Sequence, residues 1–315
     1  MLGELIIGSR DSNLAMWQSE WVAAQLRKHH PDYRFVVHGM KTRGDNILDV
    51  ALAKIGDKGL FTKELEHALL EGRASLAVHS MKDLPTELPG GLAIGAICER
   101  EYPGDVLISK NGVKLSDLKK GARIGTSSLR RRAQLLHYRP DFVMEDIRGN
   151  LTTRLRKLRE LDLDAVVLAY AGIKRMGFEH LISDYIPLNI CLPAVGQGAI
   201  GVEVRADDVK TMNLIAVIDH KITRTAIEAE RSFMNRLEGG CQVPIGALGR
   251  IENEHLTLEG IVVDLHGTQA VRRIISGPAE KAEQLGEKLA EMLLEQGAGE
   301  ILARARQEFG IDDGK

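Results

Sequence analysis

The run Glu230-Arg231-Ser-Phe-Met-Asn-Arg-Leu-Glu-Gly239-Gly240-Cys241-Gln-Val-Pro244-Ile-Gly246 places a thiol behind two glycines and ahead of a proline. Glycine and proline interrupt helix and strand alike, so Cys241 is expected on a constrained loop after a helix. A thiol presented in that way suits a covalently attached group. The alternative is a small buried hydrophobe, as most free cysteines are. Cys98, which closes the apolar run 92–98, and Cys191, among Ile190, Leu192 and Pro193, fit that alternative better.

A second chemistry is carried by cations. Ten arginines stand between Arg123 and Arg175, three of them consecutive at 130–132. Three junctions where an apolar strand pattern gives way to a helix carry hydroxyls and cations: Gly8-Ser9-Arg10-Asp11-Ser12, His79-Ser80-Met81-Lys82-Asp83, and Gly125-Thr126-Ser127-Ser128-Leu129-Arg130-Arg131-Arg132. A helix N-terminus at the carboxyl end of a strand is an anion site, and its dipole opposes arginines in the first turn. Arg130–Arg132 break that preference, as does Arg154 with Arg148 just before it, so an anion is expected to compensate them. The planar guanidinium fork suits carboxylate or phosphate. Arg132, Arg139, Arg156 and Arg159 also read as ordinary solvated surface charges. No Walker A, dinucleotide glycine fingerprint or kinase signature accompanies the cluster, so a polycarboxylate fits at least as well as a phosphate.

Asp83 is the carboxylate singled out. It follows Lys82 at the end of the apolar strand pattern Leu76-Ala-Val-His79, a place from which it could stabilise developing positive charge and move protons. The alternative is a turn cap before Pro85.

The elements that must position these groups follow from periodicity. Strands are expected near 4–8, 34–40, 75–79 and 92–98, with helices near 13–28 and 62–72. A second set follows, with strands near 123–125, 142–145 and 165–169 and helices starting near Ser128 and Leu151. The alternation is that of βαβ units and parallel sheet. After Asp219 the pattern changes to one helix (223–237), several strands through Ile275, and a final helix from Pro278 to about Gln296, a smaller α+β domain.

At 315 residues and 44% hydrophobic content the chain is expected to fold as two or three domains with substantial cores. The formal net charge of −2 supplies no general attraction to nucleic acid or membrane. The stretch 185–202 is uncharged but broken by prolines, glycines, Asn189 and Gln197, so no membrane span is expected. Three cysteines without Cys-x-x-C or Cys/His spacing give neither a disulfide framework nor a metal signature. A reducing, cytoplasmic setting is expected, and the N-terminal residues show no secretory pattern.

These motifs resemble a known family. The run 230–246 is similar, position by position, to the cofactor-attachment signature of the porphobilinogen deaminases (hydroxymethylbilane synthases). Lys58-Gly-Leu-Phe61-Thr-Lys-Glu-Leu, Val78-His79-Ser80-Met81-Lys82-Asp83-Leu-Pro85, Gly125-Thr-Ser-Ser128-Leu-Arg130-Arg131 and Leu192-Pro-Ala-Val-Gly-Gln197-Gly resemble further motifs of that family in the same order, over essentially the whole chain.

The resemblance implies an enzyme of tetrapyrrole and heme biosynthesis that joins four porphobilinogen molecules head to tail, releasing ammonia each time, and then hydrolyses off hydroxymethylbilane for the next tetrapyrrole enzyme. It implies a dipyrromethane cofactor held as a thioether on Cys241, with no metal and no nucleotide. Asp83 would be the catalytic group. Arg10, Ser12, Lys82, Ser128, Arg130, Arg131, Arg148, Arg154 and Arg175 would bind the acetate and propionate groups of cofactor and substrate. Lys54, Lys58, Phe61, His79, Ser80, Thr126 and Gln197 would line the cleft or its lid, the lid being 42–59. The implied fold is α/β: two periplasmic-binding-protein-like α/β domains around a cleft (1–98 with 198–217, and 104–193) plus a smaller α+β C-terminal domain (221–315). A monomer is expected. The competing class is a non-catalytic carboxylate-binding receptor module, which would have no use for the Gly-Gly-Cys loop.

Overall fold

The computed structural model describes residues 3–42, 62–237 and 243–309. The chain begins with β1 (Gly3–Arg10), α1 (Asn13–His29), β2 (Tyr33–Met40), α2 (Lys63–Leu70), β3 (Leu76–Ser80) and β4 (Leu92–Ile97). It continues through β5 (Asp105–Ser109), β6 (Arg123–Gly125), α3 (Leu129–Tyr138), β7 (Val143–Glu145), α4 (Leu151–Glu160), β8 (Ala165–Ala169), α5 (Tyr170–Arg175) and β9 (Asp184–Tyr185). Then come β10 (Ile200–Arg205), α6 (Val209–Ile215) and α7 (Lys221–Arg236), followed by β11 (Ile245–Glu252), β12 (His255–Val263), β13 (Ala270–Pro278), α8 (Ala282–Leu294) and α9 (Ala298–Phe309).

Two compact units result. One gathers the described chain up to Glu101 with the return segment Gly198–Arg224; the other gathers Tyr102–Gln197 with the described residues from Thr225 onward. The first unit is built on a five-stranded sheet of order β2-β1-β3-β10-β4. Strand alternation sends Leu76, Val78, Val202 and Val204 to one face, where they pack on Val22, Ala23 and Leu26 of α1. Ala77 goes to the opposite face, against Leu65, Ala68 and Leu69 of α2.

The second unit holds a five-stranded sheet of order β7-β6-β8-β5-β9 and a three-stranded sheet of order β11-β12-β13. Leu107, Ile124 and Val167 face Leu135 of α3. Val106, Val166 and Leu168 face Leu158 of α4 and Ile173 of α5. The three-stranded sheet packs Leu256, Leu258 and Val262 on Phe233 of α7, Leu289 and Leu293 of α8, and Ile301 and Leu302 of α9.

The expected strands and helices of the first 170 residues are present within a few residues, the class there is α/β, and the antiparallel sheet β11-β12-β13 with its helices forms the expected α+β part. Two expectations need correcting. The two five-stranded sheets are mixed rather than parallel, because β10 runs antiparallel to β3 and β4, and β5 antiparallel to β8. Apolar periodicity identifies a strand without its direction. The expected final helix is present as α8, but it is not the last element: a further helix, α9, follows after Gly297, whose φ of +91° continues no right-handed helix.

Helix α8 approaches α7 so closely that a Cβ on Gly286 would lie 2.4 Å from the Ala229 carbonyl oxygen. Gly286→Ala is expected to destabilise the protein by about 2 kcal/mol, overpacking outweighing the better helix propensity of alanine. Urea unfolding measures this; an unchanged or higher midpoint would contradict the packing described.

Candidate active site

In the first unit, two of the three junctions converge. β1 and β3 are parallel neighbours, so both end at the same sheet edge. There a recess of about 50 Å³ is lined by Arg10, Ser12, Gln18, Thr62, His79, Ser80 and Asp83, with Leu14, Ala15 and Val78 as its apolar part. That is room for a group the size of a carboxylate. Ser12 caps α1, its hydroxyl accepting the Ala15 N–H at 3.4 Å, and the first turn carries no acidic residue. The positive end of a 17-residue helix dipole and the Arg10 side chain therefore favour an anion beside Asp83. Gln18 donates to the Ser80 hydroxyl at 2.9 Å and fixes the rim. Lys82 and Asp83 lie not at the start of an α-helix, as expected, but in the single 3-10 turn Met81–Asp83, half-buried, with Met81 plugged into the core. Leu84 is extended and Pro85 follows, so no helix can continue from the turn.

In the second unit the third junction has the expected form. Strand β6 ends at Gly125 and α3 begins at Leu129, capped by Ser128, whose hydroxyl accepts the Arg131 N–H at 3.5 Å. Thr126 is buried and its hydroxyl accepts the Ser128 N–H at 3.2 Å. The unexpected part is where the arginines go. Arg130 and Arg131 turn inward and grip one carboxylate, Asp105, from both sides at 2.8 and 2.7 Å. All three are buried, with exposures of 4, 5 and 0%. Arg130 also donates to the Leu192 carbonyl at 2.7 Å and Arg131 to the Val167 carbonyl at 3.1 Å. Gln197, expected as a cleft residue, is buried and donates to Asp105 at 2.9 Å.

Burial alone would raise the Asp105 pKa, but the charges of Arg130 and Arg131 and the bonds from Arg131 and Gln197 hold it well below the usual carboxylate range. Burial pushes the neighbouring Cys191 thiol up to about 12, so it stays neutral and unreactive. Part of the compensating anion demanded by the sequence is thus internal. It is only part: two guanidinium groups share one carboxylate, and the Nε of Arg131 is buried with no hydrogen-bond partner.

Strand β7 is parallel to β6, so its C-terminal loop lies beside this junction, tied to it by the Ser127 hydroxyl donating to the Ile147 carbonyl at 2.7 Å. Arg148 stands in that loop with its Nη2 buried and unpartnered. Burial pushes its pKa down, only partly offset by Asp146. Arg154, in the first turn of α4, donates from Nε to the Gly149 carbonyl at 2.9 Å. Arg175 ends α5, which follows β8 at the same sheet edge. Arg139, by contrast, is structural: it pairs with Asp141 at 2.8 Å and lies over the Phe142 ring. Arg156 is an exposed partner of Glu160.

Asp105 was missed in the sequence because no strand was expected there; an acid opening the apolar run Asp105-Val-Leu-Ile was the available signal. Cys98 and Cys191 are buried core residues as expected. Cys241, Lys54, Lys58 and Phe61 lie outside the described residues. Among the described residues, no cluster of histidine, cysteine and acidic side chains could hold a metal ion, and no helix is long and apolar enough to cross a membrane.

Comparison with known proteins gives concordant matches. Residues 5–213 match the family model for "porphobilinogen deaminase, dipyromethane cofactor binding domain", and residues 224–295 that for "porphobilinogen deaminase, C-terminal domain". The chain is 59% identical over 308 residues to a curated porphobilinogen deaminase of Pelotomaculum thermopropionicum, covering 98% of this chain and 99% of that one. It is 57% identical over 308 residues to one of Carboxydothermus hydrogenoformans, with the same coverage. Among solved structures, the probable amino-acid ABC transporter extracellular-binding protein ytmK of Bacillus subtilis is similar at a TM-score of 0.42 and 12% identity, covering 68% of this chain and 89% of that one.

Asp105→Asn leaves two buried guanidinium charges without their carboxylate and is expected to cost about 3–5 kcal/mol at pH 7. Because the folded pKa is depressed, this contribution is complete above the unfolded carboxylate value of about 4 and disappears as the pH falls through the folded value. The variant should therefore lose stability at neutral pH and lose less than the wild type on acidification below about pH 4. Urea unfolding at several pH values checks both; equal stability at pH 7 would contradict the charge balance.

Proposed function

The chain belongs to the porphobilinogen deaminase family, and from that footing we propose that it condenses four porphobilinogen molecules onto a covalently bound dipyrromethane primer. Ammonia is released at each addition, and hydrolysis then yields hydroxymethylbilane. It is thus a transferase of tetrapyrrole biosynthesis. The observation that carries the reading is the buried, incompletely compensated cationic charge of Arg131 and Arg148 at the carboxyl edge of one sheet. Each pyrrole of substrate and primer bears an acetate and a propionate, and these are groups that such N–H donors would satisfy.

The primer, when bound, supplies a tethered nucleophilic ring end, which stays at high effective concentration near the chemistry. The residues of this chain do the rest. Cys241 is the attachment point in this proposal. Arg131, Arg148, Arg154 and Arg175, with Ser128 at the α3 N-terminus, hold carboxylates in the second unit. Arg130 and Arg131 reach a ligand only through N–H groups not given to Asp105 and the neighbouring carbonyls. In the first unit Arg10 and Ser12, with Lys82 from the Met81–Asp83 turn, hold a carboxylate, and Asp83 stands in the same recess as Arg10 and Ser12.

Loss of ammonia from the substrate aminomethyl group leaves a cationic ring whose charge is shared with the pyrrole N–H. The Asp83 carboxylate stabilises that charge and accepts or returns the pyrrole proton, and it assists loss of the α-carbon proton after the carbon–carbon bond forms. The atoms balance as a ring hydrogen replaced by a pyrrolylmethyl group, with the ammonium departing. Three domains, 1–98 with 198–217, 104–193 and 221–315, belong to the same proposal and are supported by three separate sheets. So do a cytoplasmic setting, a monomeric state and handover of product to the next tetrapyrrole enzyme.

Incubated with porphobilinogen, the protein is expected to consume it and release one ammonia per molecule. Asp83→Asn is expected to retain binding and lose at least about 100-fold in turnover, the scale of a lost acid–base group. Colorimetric loss of porphobilinogen beside ammonia release is the measurement; reversible binding without consumption, or near-normal turnover of the variant, would contradict the assignment.

A further inference from the structure

Behind the recess of the first unit lies a group of ionisable side chains that the chemistry above does not use. Strand alternation sets it. Val202 and Val204 of β10 face α1, so Glu203 faces α2; Leu76 and Val78 of β3 face α1, so Ala77 and His79 face α2. In the antiparallel register Glu203 stands opposite Ala77, whose methyl leaves room for the carboxylate to lean toward His79. The Nε2 of His79 lies 3.0 Å from Oε2 of Glu203, within ion-pair distance but not angled as a hydrogen bond. From α2, Glu66 enters the same space, bonded to the Thr62 side chain and within electrostatic reach of Glu203 and His79. Exposures are 0% for Glu203, 4% for Glu66 and 5% for His79.

Among the described residues, the surroundings offer little compensation. His67 of α2 is the further titratable group acting on Glu66. On β10, Arg205 is taken up by Asp208 and the carbonyls of Leu69 and Ala74. Helix α1 brings the neutral Gln18 and Ser19, and β1 brings Arg10 only at the recess. The buried apolar residues described on this face are Leu65, Ala68, Leu69, Ala74 and Leu92. Two carboxylates ionised together there would be unfavourable, which favours the protonated form of Glu66. Burial, the largest influence, raises the Glu66 pKa, and the charge of Glu203 adds to it, against the Thr62 bond and the two histidines.

The trio meets the recess at two points. Thr62, which holds Glu66, and His79, which contacts Glu203, both line it together with Asp83. We propose that Glu66, Glu203 and His79 form a buried proton-sharing unit in which Glu203 and Glu66 act as positioning residues, setting the wall of the recess and the charge that Asp83 experiences. This rests on the role given to Asp83 above. It assigns part of the pH dependence of turnover to groups that never touch substrate.

The test compares wild type, Glu203→Gln and Glu66→Gln over pH 5–9, reading kcat and KM for porphobilinogen and the melting temperature. Glu203→Gln is expected to lower kcat about 10-fold with KM changed less than about 3-fold, and to displace one limb of the kcat profile by about one pH unit or more. Glu66→Gln copies the protonated carboxyl. Since the folded Glu66 pKa is raised, wild-type stability is complete below the ordinary glutamate value and falls as pH rises through the folded value. The variant should therefore gain in melting temperature relative to wild type as pH rises. Profiles of both variants that superimpose on wild type after scaling would overturn the proposal, whatever the change in stability. So would a melting difference for Glu66→Gln independent of pH. Failure of the wild type to consume porphobilinogen would instead count against the function proposed above, while the melting comparison still decides whether the proton is shared.

Discussion

One buried carboxylate, Asp105, sits between two buried guanidinium groups, and much of the second unit is arranged around that imbalance. A lone buried charge would be prohibitively unfavourable, and a pair is tolerated only when geometry and further hydrogen bonds satisfy both partners. Here β5 contributes the carboxylate, α3 the two arginines, β8 and the segment before Gln197 the carbonyls, and Gln197 the last donor to Asp105. The first turn of α3 can carry arginines against its own dipole because their charges are drawn down into the sheet. Two positive charges against one negative leave the site cationic, and the neutral Cys191 thiol adds nothing to the balance.

That surplus links fold to chemistry. The loop after β7 adds Arg148 beside the same sheet edge, its guanidinium partly desolvated. In the first unit the N-terminus of α1 and Arg10 repeat the theme on a smaller scale, now with a carboxylate, Asp83, among them. Cation-lined strand ends suit a ligand with several carboxylates, and a carboxylate placed within one such end suits a reaction passing through a cationic ring. Family membership supplies the ligand: acidic pyrroles, in substrate and primer alike.

Much of this was legible in the sequence. Alternating apolar runs located β1, α1, β3, β6, α3 and β8, and the departure of Arg130 and Arg131 from dipole preference signalled a compensating anion, part of which is Asp105. Strand direction was not legible, because periodicity is blind to it, and so the antiparallel β10 and β5 make mixed sheets of what the alternation suggested would be parallel ones. The helix expected to end near Gln296 does end just before Gly297, but the further helix α9 beyond that turn was not read from the sequence. The inward turn of Arg130 and Arg131 also escaped, since it depends on Asp105 arriving from 25 residues earlier in the chain. Glu203 and Glu66 were missed for a related reason: Glu203 is a single acid within an apolar strand and Glu66 one of two acids in the first turn of α2, and only the register of β3 with β10 and the docking of α2 bring them together.

The central claim is that the cationic sites serve acidic pyrroles grown on a covalent primer rather than a carboxylate bound and released. The intact mass of the denatured protein, beside that of Cys241→Ser, tests it most directly, because a thioether survives denaturation and a bound ligand does not. The account predicts an added mass equal to two deaminated porphobilinogen units, absent from the variant. A freshly purified, active preparation showing only the bare polypeptide mass would contradict it.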